Sequence, residues 1–335
     1  MYNSKISGLG YYVPDNVVTN EDLSKMMDTN DAWIQERTGI KERRWIKDGS
    51  DDTATTMGIK AATIAMERAN VTAKDIDFIV FATLSPDYYF PGCGVMIQEK
   101  MGMDTVGAID IRNQCSGFVY AISTADQFIK TGMYKTVLVI GSEFHSGGLD
   151  KTTKGRNVSV IFGDGAGAAV LTREEDPNKG ILSTHLHSEG KFAKELIVEF
   201  PSINHWIPKI IANHGKEEPK YYPYMDGQLV FKNAIARFSE VINEGLEKNN
   251  LDVSDIDMFI PHQANLRISQ FIQRRFKLED NQVFNNIMKY GNTTAASIPI
   301  ALTEAWEQGK VKSGDLVVLA AFGSGFTWGS VIIRW

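Results

Sequence analysis

Cysteine is scarce in this sequence, which has only Cys93 and Cys115 among 335 residues. Two cysteines cannot form the disulfide framework of a small secreted scaffold. The sequence also lacks any run of about 18 apolar residues that would predict a membrane span, and no stretch resembles a signal peptide. We therefore expect a cytoplasmic location, where reducing conditions keep both thiols reduced.

Positive charge is in the minority as well. The chain has 35 Lys and Arg against 41 Asp and Glu, a net charge of −6. This balance argues against wholesale binding to nucleic acid or to an anionic membrane. Any acidic partner would have to meet a local basic patch.

The second half of the sequence repeats the first. Three pairs of segments match in the same order: 70–80 with 250–260 at an offset of 180, 115–132 with 292–309 at 177, and 136–141 with 315–321 at 179 or 180. Chance could supply one such match, but not easily all of them in order. The pattern predicts a duplicated α/β unit, with one half at 1–175 and the other at 176–335, the second carrying an enlarged loop at about 188–224.

Continuous apolar runs are typical of strands that are buried on both faces. Such runs predict strands at 78–83, 137–141, 158–162 and 316–321. Amphipathic segments precede the repeated strands at 57–70 and 231–249, so helices are expected on both sides of each sheet. The predicted fold class is therefore α/β.

Cys115 stands where an apolar strand, 107–111, gives way to an apolar helix. Backbone N–H groups and the positive end of the helix dipole at that position favour thiolate over thiol, which makes Cys115 a candidate nucleophile. The alternative is a packing residue, since free cysteine is among the most buried residue types.

The repeat supplies partners for this thiol. It aligns Asn292 with Cys115 and places His262 just past a repeated strand. If the halves pack about a pseudo-twofold axis, Cys115, His262 and Asn292 face one cleft. A lone His after a strand is more often structural, but three such groups at converging ends predict an active site.

Four motifs carry a resemblance to a known family: Cys115-Ser-Gly-Phe, Pro261-His-Gln-Ala-Asn265, Tyr290-Gly-Asn-Thr-Thr-Ala-Ala-Ser297 and Ala321-Phe-Gly-Ser-Gly-Phe-Thr-Trp-Gly-Ser330. In these motifs the sequence resembles 3-oxoacyl-ACP synthase III, a thiolase-fold condensing enzyme, over nearly the whole chain. The resemblance implies a five-layered α-β-α-β-α arrangement of the two halves. It also implies a decarboxylating condensation of acyl-CoA with malonyl-ACP that begins fatty-acid synthesis, without a cofactor or a metal.

The resemblance further assigns roles to residues. Cys115 carries the acyl group, while His262 and Asn292 form an oxyanion hole for decarboxylation. The backbone N–H groups of Cys115 and Ser324 form a second oxyanion hole, although many relatives carry Gly or Ala at position 324.

Substrate contacts are implied in the same way. Matching positions assign the CoA and pantetheine contacts to Trp33, Arg37, Arg156, Phe231, Ala264 and Asn265. Phe90 matches a residue that closes the acyl pocket across a dimer interface, so a homodimer is expected.

A basic patch that could receive the acidic carrier protein lies beside His262. Arg267 and Arg274 are seven residues apart and so share a helix face, and Arg275 and Lys232 complete the patch. In most proteins such a run is a solvated face. In a chain of net charge −6 it is a candidate docking site for acyl carrier protein.

Two stretches could mislead. The glycine-rich segment 163–167 lacks the Lys-Ser/Thr of a phosphate loop and leads into a predicted strand, so we reject a nucleotide site. The loop at 188–224 contains His205 and His214, but without metal-ligand spacing. We expect this loop to cover the acyl-chain entrance.

Other functions stay open at this point. Before Cys115 this sequence has Arg112, Asn113 and Gln114, where the housekeeping enzymes of the resembled family carry small apolar residues. The alternative function is therefore that of a relative that condenses longer or specialised acyl groups in secondary metabolism. A degradative thiolase would need a second catalytic cysteine near the C-terminus, and 320–335 has none. A non-catalytic acyl-binding protein is a further alternative.

Overall fold

The computed structural model describes residues 2–203, 206–212 and 220–335. His205, His214 and Pro219 therefore lie outside the described residues. The strands are β1 (Asn3–Tyr12), β2 (Val17–Thr19), β3 (Glu42–Arg44), β4 (Phe78–Ala82), β5 (Gly107–Ile111), β6 (Thr136–Glu143), β7 (Gly165–Glu174), β8 (Gly180–Ser188), β9 (Leu196–Ile197), β10 (Tyr224–Met225), β11 (Met258–Pro261), β12 (Leu316–Gly323) and β13 (Thr327–Arg334). The helices are α1 (Asn20–Ser24), α2 (Asp31–Thr38), α3 (Ala54–Ala69), α4 (Cys93–Lys100), α5 (Gly117–Lys130), α6 (Arg156–Ser159), α7 (Ile207–Ala212), α8 (Gly227–Lys248), α9 (Leu266–Phe276), α10 (Ile287–Tyr290) and α11 (Ser297–Glu307).

Two mixed sheets form the framework of the described residues. The first has the order β1-β7-β6-β4-β5, and the second has the order β11-β12-β13-β8. Parallel pairs lie at β4 with β5 and β6 and at β11 with β12, while the other pairs in these two sheets are antiparallel. The first sheet uses strands that end by residue 174 and the second uses strands that begin at residue 180.

Side chains alternate between two cores because successive residues of a strand point to opposite faces. In β4, Ile79 and Phe81 pack under α3 and α4, whereas Val80 and Ala82 face α5. The same inner core contains α11 and the inner face of the second sheet, and α8 and α9 cover the outer face of that sheet. The order of layers is thus α3/α4, sheet, α5/α11, sheet, α8/α9, the five-layered α/β arrangement expected of the thiolase fold.

The internal repeat is visible in backbone detail at an offset of 180. Asn70 caps α3 and Asn250 follows Asn249, the cap of α8; their φ values are left-handed, 55° and 54°. The aspartates Asp77 and Asp257 each accept hydrogen bonds from backbone N–H groups at the start of the neighbouring strand, β6 or β12. The duplication predicted from the sequence therefore extends to individual turns.

The helix that follows Cys115 corrects one alignment. Helices α5 and α11 start at Gly117 and Ser297, again 180 apart, and each is preceded by a 3₁₀ turn, 114–116 and 294–296. The counterpart of Cys115 is therefore Ala295, not Asn292. The offset of 177 was wrong because it matched the glycines after the helices, Gly132 and Gly309, although α11 is 11 residues long and α5 is 14.

The predicted strand at 158–162 was also wrong. Residues 156–159 form the short helix α6, and the run ends in a single parallel bridge between Phe162 and Asn292. Its apolar side chains are buried against α2 and β3, and burial alone does not distinguish a strand from a buried turn. The glycine-rich segment, by contrast, does enter a strand, β7.

Candidate active site

One apolar cavity between the halves brings together the three groups that the sequence singled out. Cys115, His262 and Asn292 all line it. The other lining residues are Ile161, Phe162, Leu196, Met225, Gly227, Val230, Phe231, Ala234, Phe238, Ala264, Asn265, Ile268, Phe322 and Gly323. The reactive types thus sit in a largely hydrophobic chamber.

Cys115 lies in the 3₁₀ turn before α5 and is buried. Burial and the nearby Glu143 carboxyl raise the pKa of the thiol to about 12. The backbone N–H groups of Cys115 and Ser324 and the hydroxyl of Thr294 act in the opposite direction, by favouring the thiolate. The expected preference for thiolate is therefore wrong: loss of solvation outweighs the helix terminus, and the buried group is a thiol at pH 7.

Gly323 shows how closely the two halves meet at this thiol. A Cβ at this position would lie 2.6 Å from Cys115 Cβ and 3.1 Å from Cys115 Sγ. Position 323 therefore requires glycine for the second half to pack against the nucleophile and to bring the Ser324 N–H to the sulfur.

His262 follows β11 and is buried. Its Nδ1 lies 2.6 Å from Ser297 Oγ, the first residue of α11. Its Nε2 is buried and has no hydrogen-bond partner among the described residues. Burial lowers the pKa of His262 to about 3, so the imidazole is neutral at pH 7. A hydroxyl hydrogen bonded to Nδ1 leaves an Nε2–H directed at whatever enters the cavity.

Asn292 is oriented by its own backbone and by the next turn. Its N–H donates to Ile161 O and its carbonyl accepts from Gly163 N, which fixes the residue alongside the segment 161–163 of the first half. Its side-chain Oδ1 accepts from Thr294 N at 2.8 Å. With the amide oxygen occupied, the NH₂ group is the part that remains for a ligand.

The positions predicted to hold CoA lie at the outer end of this region. The Arg37 guanidinium carbon is 4.5 Å from the Trp33 ring centre, and that of Arg156, in α6 rather than before a strand, is 5.3 Å away. Asn265 donates to Arg37 O at 2.8 Å. Asn265 also lines the cavity beside Phe231 and Ala264. Through its hydrogen bond to Arg37, it joins the lining of the cavity to the stacked side chains around Trp33.

Phe90 is not brought to the cavity of its own chain. Its side chain is 80% exposed, and it lies beside the exposed Tyr88 and Tyr89. Tyr89 also contacts the Trp206 ring, with 5.0 Å between ring centres. These residues, Tyr88, Tyr89, Phe90 and Trp206, form an exposed aromatic patch.

The four basic residues predicted to receive a carrier protein are all exposed. Arg267, Arg274 and Arg275 lie on α9, and Arg267 is 5.7 Å from the ring of Phe231 at the cavity. Lys232 is in the second turn of α8, which begins at Gly227. None of the four is in an ion pair with a described residue.

The enlarged loop and the residue that follows it contribute side chains to the cavity wall. Leu196 and Met225, from the paired strands β9 and β10, line the cavity. Ser324 Oγ donates to Leu196 O at 2.5 Å, which ties this loop to the turn after β12. Three polar residues near the thiol were not identified from the sequence: Glu143, His145 and Thr294. The only sequence signals for them were a place at the end of a predicted strand or inside a motif.

Across the described residues, no helix combines the length and apolarity needed to cross a bilayer. Within those same residues, no group of three or more His, Cys, Asp or Glu side chains could hold a metal ion.

A duplicated five-layered fold with cysteine, neutral imidazole and carboxamide at one cavity defines a thiolase-fold condensing enzyme. Family models agree: one described as 3-Oxoacyl-[acyl-carrier-protein (ACP)] synthase III matches residues 109–190, and one for the C terminal of that protein matches 246–335. The chain is 44% identical over 331 residues to a beta-ketoacyl-[acyl-carrier-protein] synthase III of Aliivibrio fischeri, with 99% of both chains covered. It is 45% identical to one of Xanthomonas campestris pv. campestris, covering 99% of this chain and 98% of the other.

Solved structures give the same result. The crystal structure of 3-oxoacyl-[acyl-carrier-protein] synthase III from Aquifex aeolicus VF5 superposes with a TM-score of 0.90 at 44% identity, over 99% of this chain and 100% of that one. This chain belongs to the 3-oxoacyl-[acyl-carrier-protein] synthase III family of acyltransferases.

Proposed function

We propose that this protein begins fatty-acid synthesis by condensing an acyl-CoA with malonyl-ACP through an acyl-Cys115 intermediate, without a cofactor. The observation that carries the proposal is the convergence of Cys115, His262 and Asn292 on one cavity lined mostly by apolar side chains. The first half, 1–175, supplies the nucleophile, and the second half, 176–335, supplies the other two groups.

In the first step, Cys115 Sγ forms a bond to the acyl carbonyl carbon and the bond from that carbon to the CoA sulfur breaks. The thiol proton leaves with CoA. The bonds made and broken are both thioesters, so the exchange needs little driving force. Trp33, Arg37 and Arg156 would hold the nucleotide end of CoA, while Phe231, Ala264 and Asn265 would line the path of the pantetheine arm.

In the second step, the malonyl group loses CO₂ and the electron pair moves onto its thioester oxygen as an enolate. His262 Nε2–H and the Asn292 amide N–H are neutral donors suited to that oxygen. The His262 imidazole is neutral because its burial strongly opposes protonation. Each donor of an oxyanion hole is typically worth about 100- to 1000-fold in rate.

In the third step, the enolate carbon forms a bond to the acyl carbon and the bond to Cys115 Sγ breaks, which gives 3-oxoacyl-ACP and frees the sulfur to take up a proton. The tetrahedral oxygen of this step would accept from the backbone N–H groups of Cys115 and Ser324, both of which interact with the sulfur. Ser at position 324 is compatible with this role because the donor is backbone and its hydroxyl is engaged by Leu196.

Two exposed features of the surface, the basic residues and the aromatic patch, support the proposed binding partners. The basic residues Lys232, Arg267, Arg274 and Arg275 would receive the acidic carrier protein beside the cavity mouth. The exposed aromatic patch would pair two copies, so that Phe90 of each copy closes the acyl pocket of the other. A cytoplasmic location is the matching proposal, since a reactive thiol lasts in a reducing compartment.

The test is intact-mass analysis of the protein after incubation with acyl-CoAs of about two to twelve carbons. We expect a single added acyl group on Cys115, its loss on addition of malonyl-ACP, and no adduct with Cys115→Ala. The chain length that labels fastest identifies the starter. Wild-type product formation by Cys115→Ala would contradict the proposal, and an adduct that malonyl-ACP never removes would indicate an acyl-binding protein instead.

A further inference from the structure

The Thr294 hydroxyl lies between a second buried histidine and the nucleophile. Thr294 is buried, and its Oγ1 is 2.6 Å from His145 Nε2. The turn that carries Thr294, residues 294–296, packs against the turn that carries Cys115, residues 114–116, and the Thr294 hydroxyl favours the Cys115 thiolate. The three side chains therefore lie in a series, His145 to Thr294 to Cys115, that the reaction steps above do not use.

The backbone of Thr294 is strained. Its φ is 50°, a left-handed value that β-branched residues rarely adopt. Strain of this kind persists where the surroundings require a particular geometry, and it concentrates at functional sites. Here the conformation lets the Thr294 N–H hold Asn292 Oδ1 at 2.8 Å. Thr294 thus lies in a turn that packs against the turn of the nucleophile, and it orients a proposed oxyanion donor.

His145 is suited to orient this hydroxyl. Burial lowers the pKa of His145 to about 3, so its imidazole is neutral. It packs against the Phe162 ring, with 4.8 Å between ring centres, and its backbone N–H donates to the buried Asp164 carboxylate at 2.7 Å. A neutral imidazole that donates from Nε2–H to Thr294 Oγ1 leaves the Thr294 O–H free to donate to sulfur. The reverse direction would consume that hydrogen.

We propose that Thr294 donates a hydrogen bond to the Cys115 thiolate and that His145 is a positioning residue that directs this hydroxyl toward the sulfur. The proposal rests on the proposed function, because it supplies the thiolate for acyl transfer. It also gives the buried nucleophile a specific counterweight to Glu143, the carboxyl that disfavours its ionisation. Two other titratable groups lie near these three side chains: His262, across the cavity from Cys115, and Asp164, which accepts from the His145 backbone.

The test is the rate of alkylation of Cys115 by iodoacetamide between about pH 6 and 9.5, which needs no substrate. Modified peptides are mapped so that reaction at Cys93 is counted separately. Thr294→Val should slow alkylation about 10- to 100-fold at each pH, the range that corresponds to loss of a hydrogen bond to a charged group. Thr294→Ser, which keeps the hydroxyl, should stay within about threefold of wild type.

The histidine is tested with a matched pair. His145→Phe keeps a ring but loses the donor, and it should slow alkylation by about threefold to tenfold. His145→Gln keeps a side-chain N–H and should restore most of the rate. His185→Gln is the control, because His185 is a buried histidine on β8, paired with Glu244 and not part of the cavity lining.

Wild-type alkylation by Thr294→Val, or an equal loss in Thr294→Ser, would overturn the proposal. If Thr294→Val fails to fold, the His145 pair decides: equal rates for Phe and Gln would refute the positioning role. Condensation of acyl-CoA with malonyl-ACP is measured alongside. A wild-type protein that shows the alkylation pattern but makes no 3-oxoacyl-ACP would contradict the proposed function and leave this inference standing.

Discussion

The two halves share a scaffold and differ in chemistry. At the offset of 180, strands, turns and strand-end aspartates correspond. Yet Cys115 corresponds to Ala295, His262 to Ala82, and Glu143 to Gly323. At each of these positions one half carries a reactive group and the other a small, inert residue.

The positions that differ show where this fold tolerates a change of residue type. The divergent positions lie at the ends of strands and in the turns before α5 and α11, where the layers meet, and the strand interiors stay apolar in both halves. Because Ala295, Ala82 and Gly323 are small, the halves can approach closely around the cavity that Cys115 and His262 line.

The largest expected effect comes from making the second half as inert as the first. His262→Ala reproduces Ala82, and Asn292→Ala removes the amide donor. Each should lower condensation by about 100- to 1000-fold while acylation of Cys115 stays near the wild-type rate. Rates of acyl-enzyme formation and of product formation are measured separately by mass spectrometry. A variant in which acylation falls as far as condensation would contradict this division between the halves.

The next effect concerns Glu143, which has no counterpart carboxyl. Glu143 is fully buried; burial raises its pKa from 4.5 to about 7, although Ser85, Thr83 and the Leu84 N–H donate to it. A carboxyl whose folded pKa is raised stabilises the fold below pH 4.5 and loses that stabilisation as pH rises to about 7.

Glu143→Gln should therefore gain stability relative to wild type between pH 4.5 and 8, on the order of 3 kcal/mol. Urea unfolding at several pH values measures the difference. The variant should also alkylate faster at Cys115, since the carboxyl disfavours the thiolate. A pH-independent difference in unfolding free energy would show that Glu143 stays ionised throughout this range.

A matched pair of glycines compares Cys115 with Ala295. A Cβ on Gly323 would meet Cys115 Cβ at 2.6 Å, and one on Gly141 would meet Ala295 O at 2.4 Å. Both Gly323→Ala and Gly141→Ala should reduce the free energy of unfolding by about 1–3 kcal/mol. Only Gly323→Ala should also change the alkylation rate of Cys115. Equal effects on the thiol would mean that the contact with Gly323 is not specific to the nucleophile.

The smallest effect tests the exposed basic residues of the second half. Reversing Arg267 and Arg274 to Glu should raise KM for malonyl-ACP about threefold to tenfold at low salt and leave the acyl-CoA half-reaction unchanged. Added salt should narrow the difference. The control reverses Lys74 and Lys100, exposed lysines of the first half. Unchanged carrier-protein kinetics in the arginine variant would remove the docking assignment.

Much of this architecture was predictable because matching segments recur in the sequence at an offset near 180. Buried strands such as β4, β6 and β12 are continuous apolar runs, and their spacing gave the duplication. The segment 158–162 failed because a buried apolar turn has the same composition as a short strand. The predicted offset of 177 for this helix pair was wrong for a related reason. Glycines mark the ends of α5 and α11, but they do not give the lengths of the two helices.

The site was only partly predictable. Motifs named Cys115, His262 and Asn292, and the structure puts them in one cavity, while their roles stay predictions. The thiol pKa could not be foreseen because desolvation depends on what packs around Cys115, including Glu143 and Gly323 from distant parts of the chain. The contact of His145 with Thr294 joins residues 149 positions apart, and no local pattern announces such a pair.

The strand order of the second sheet constrains how the chain can be made. β8 pairs with β13 in that sheet, so residues 180–188 have no ladder partner there until residues 327–334 have been synthesised. A growing chain would therefore have one finished sheet with a bare inner face during about the second half of its translation. For this molecule, chaperone protection of the nascent chain would matter most late, just before the final strand closes the core.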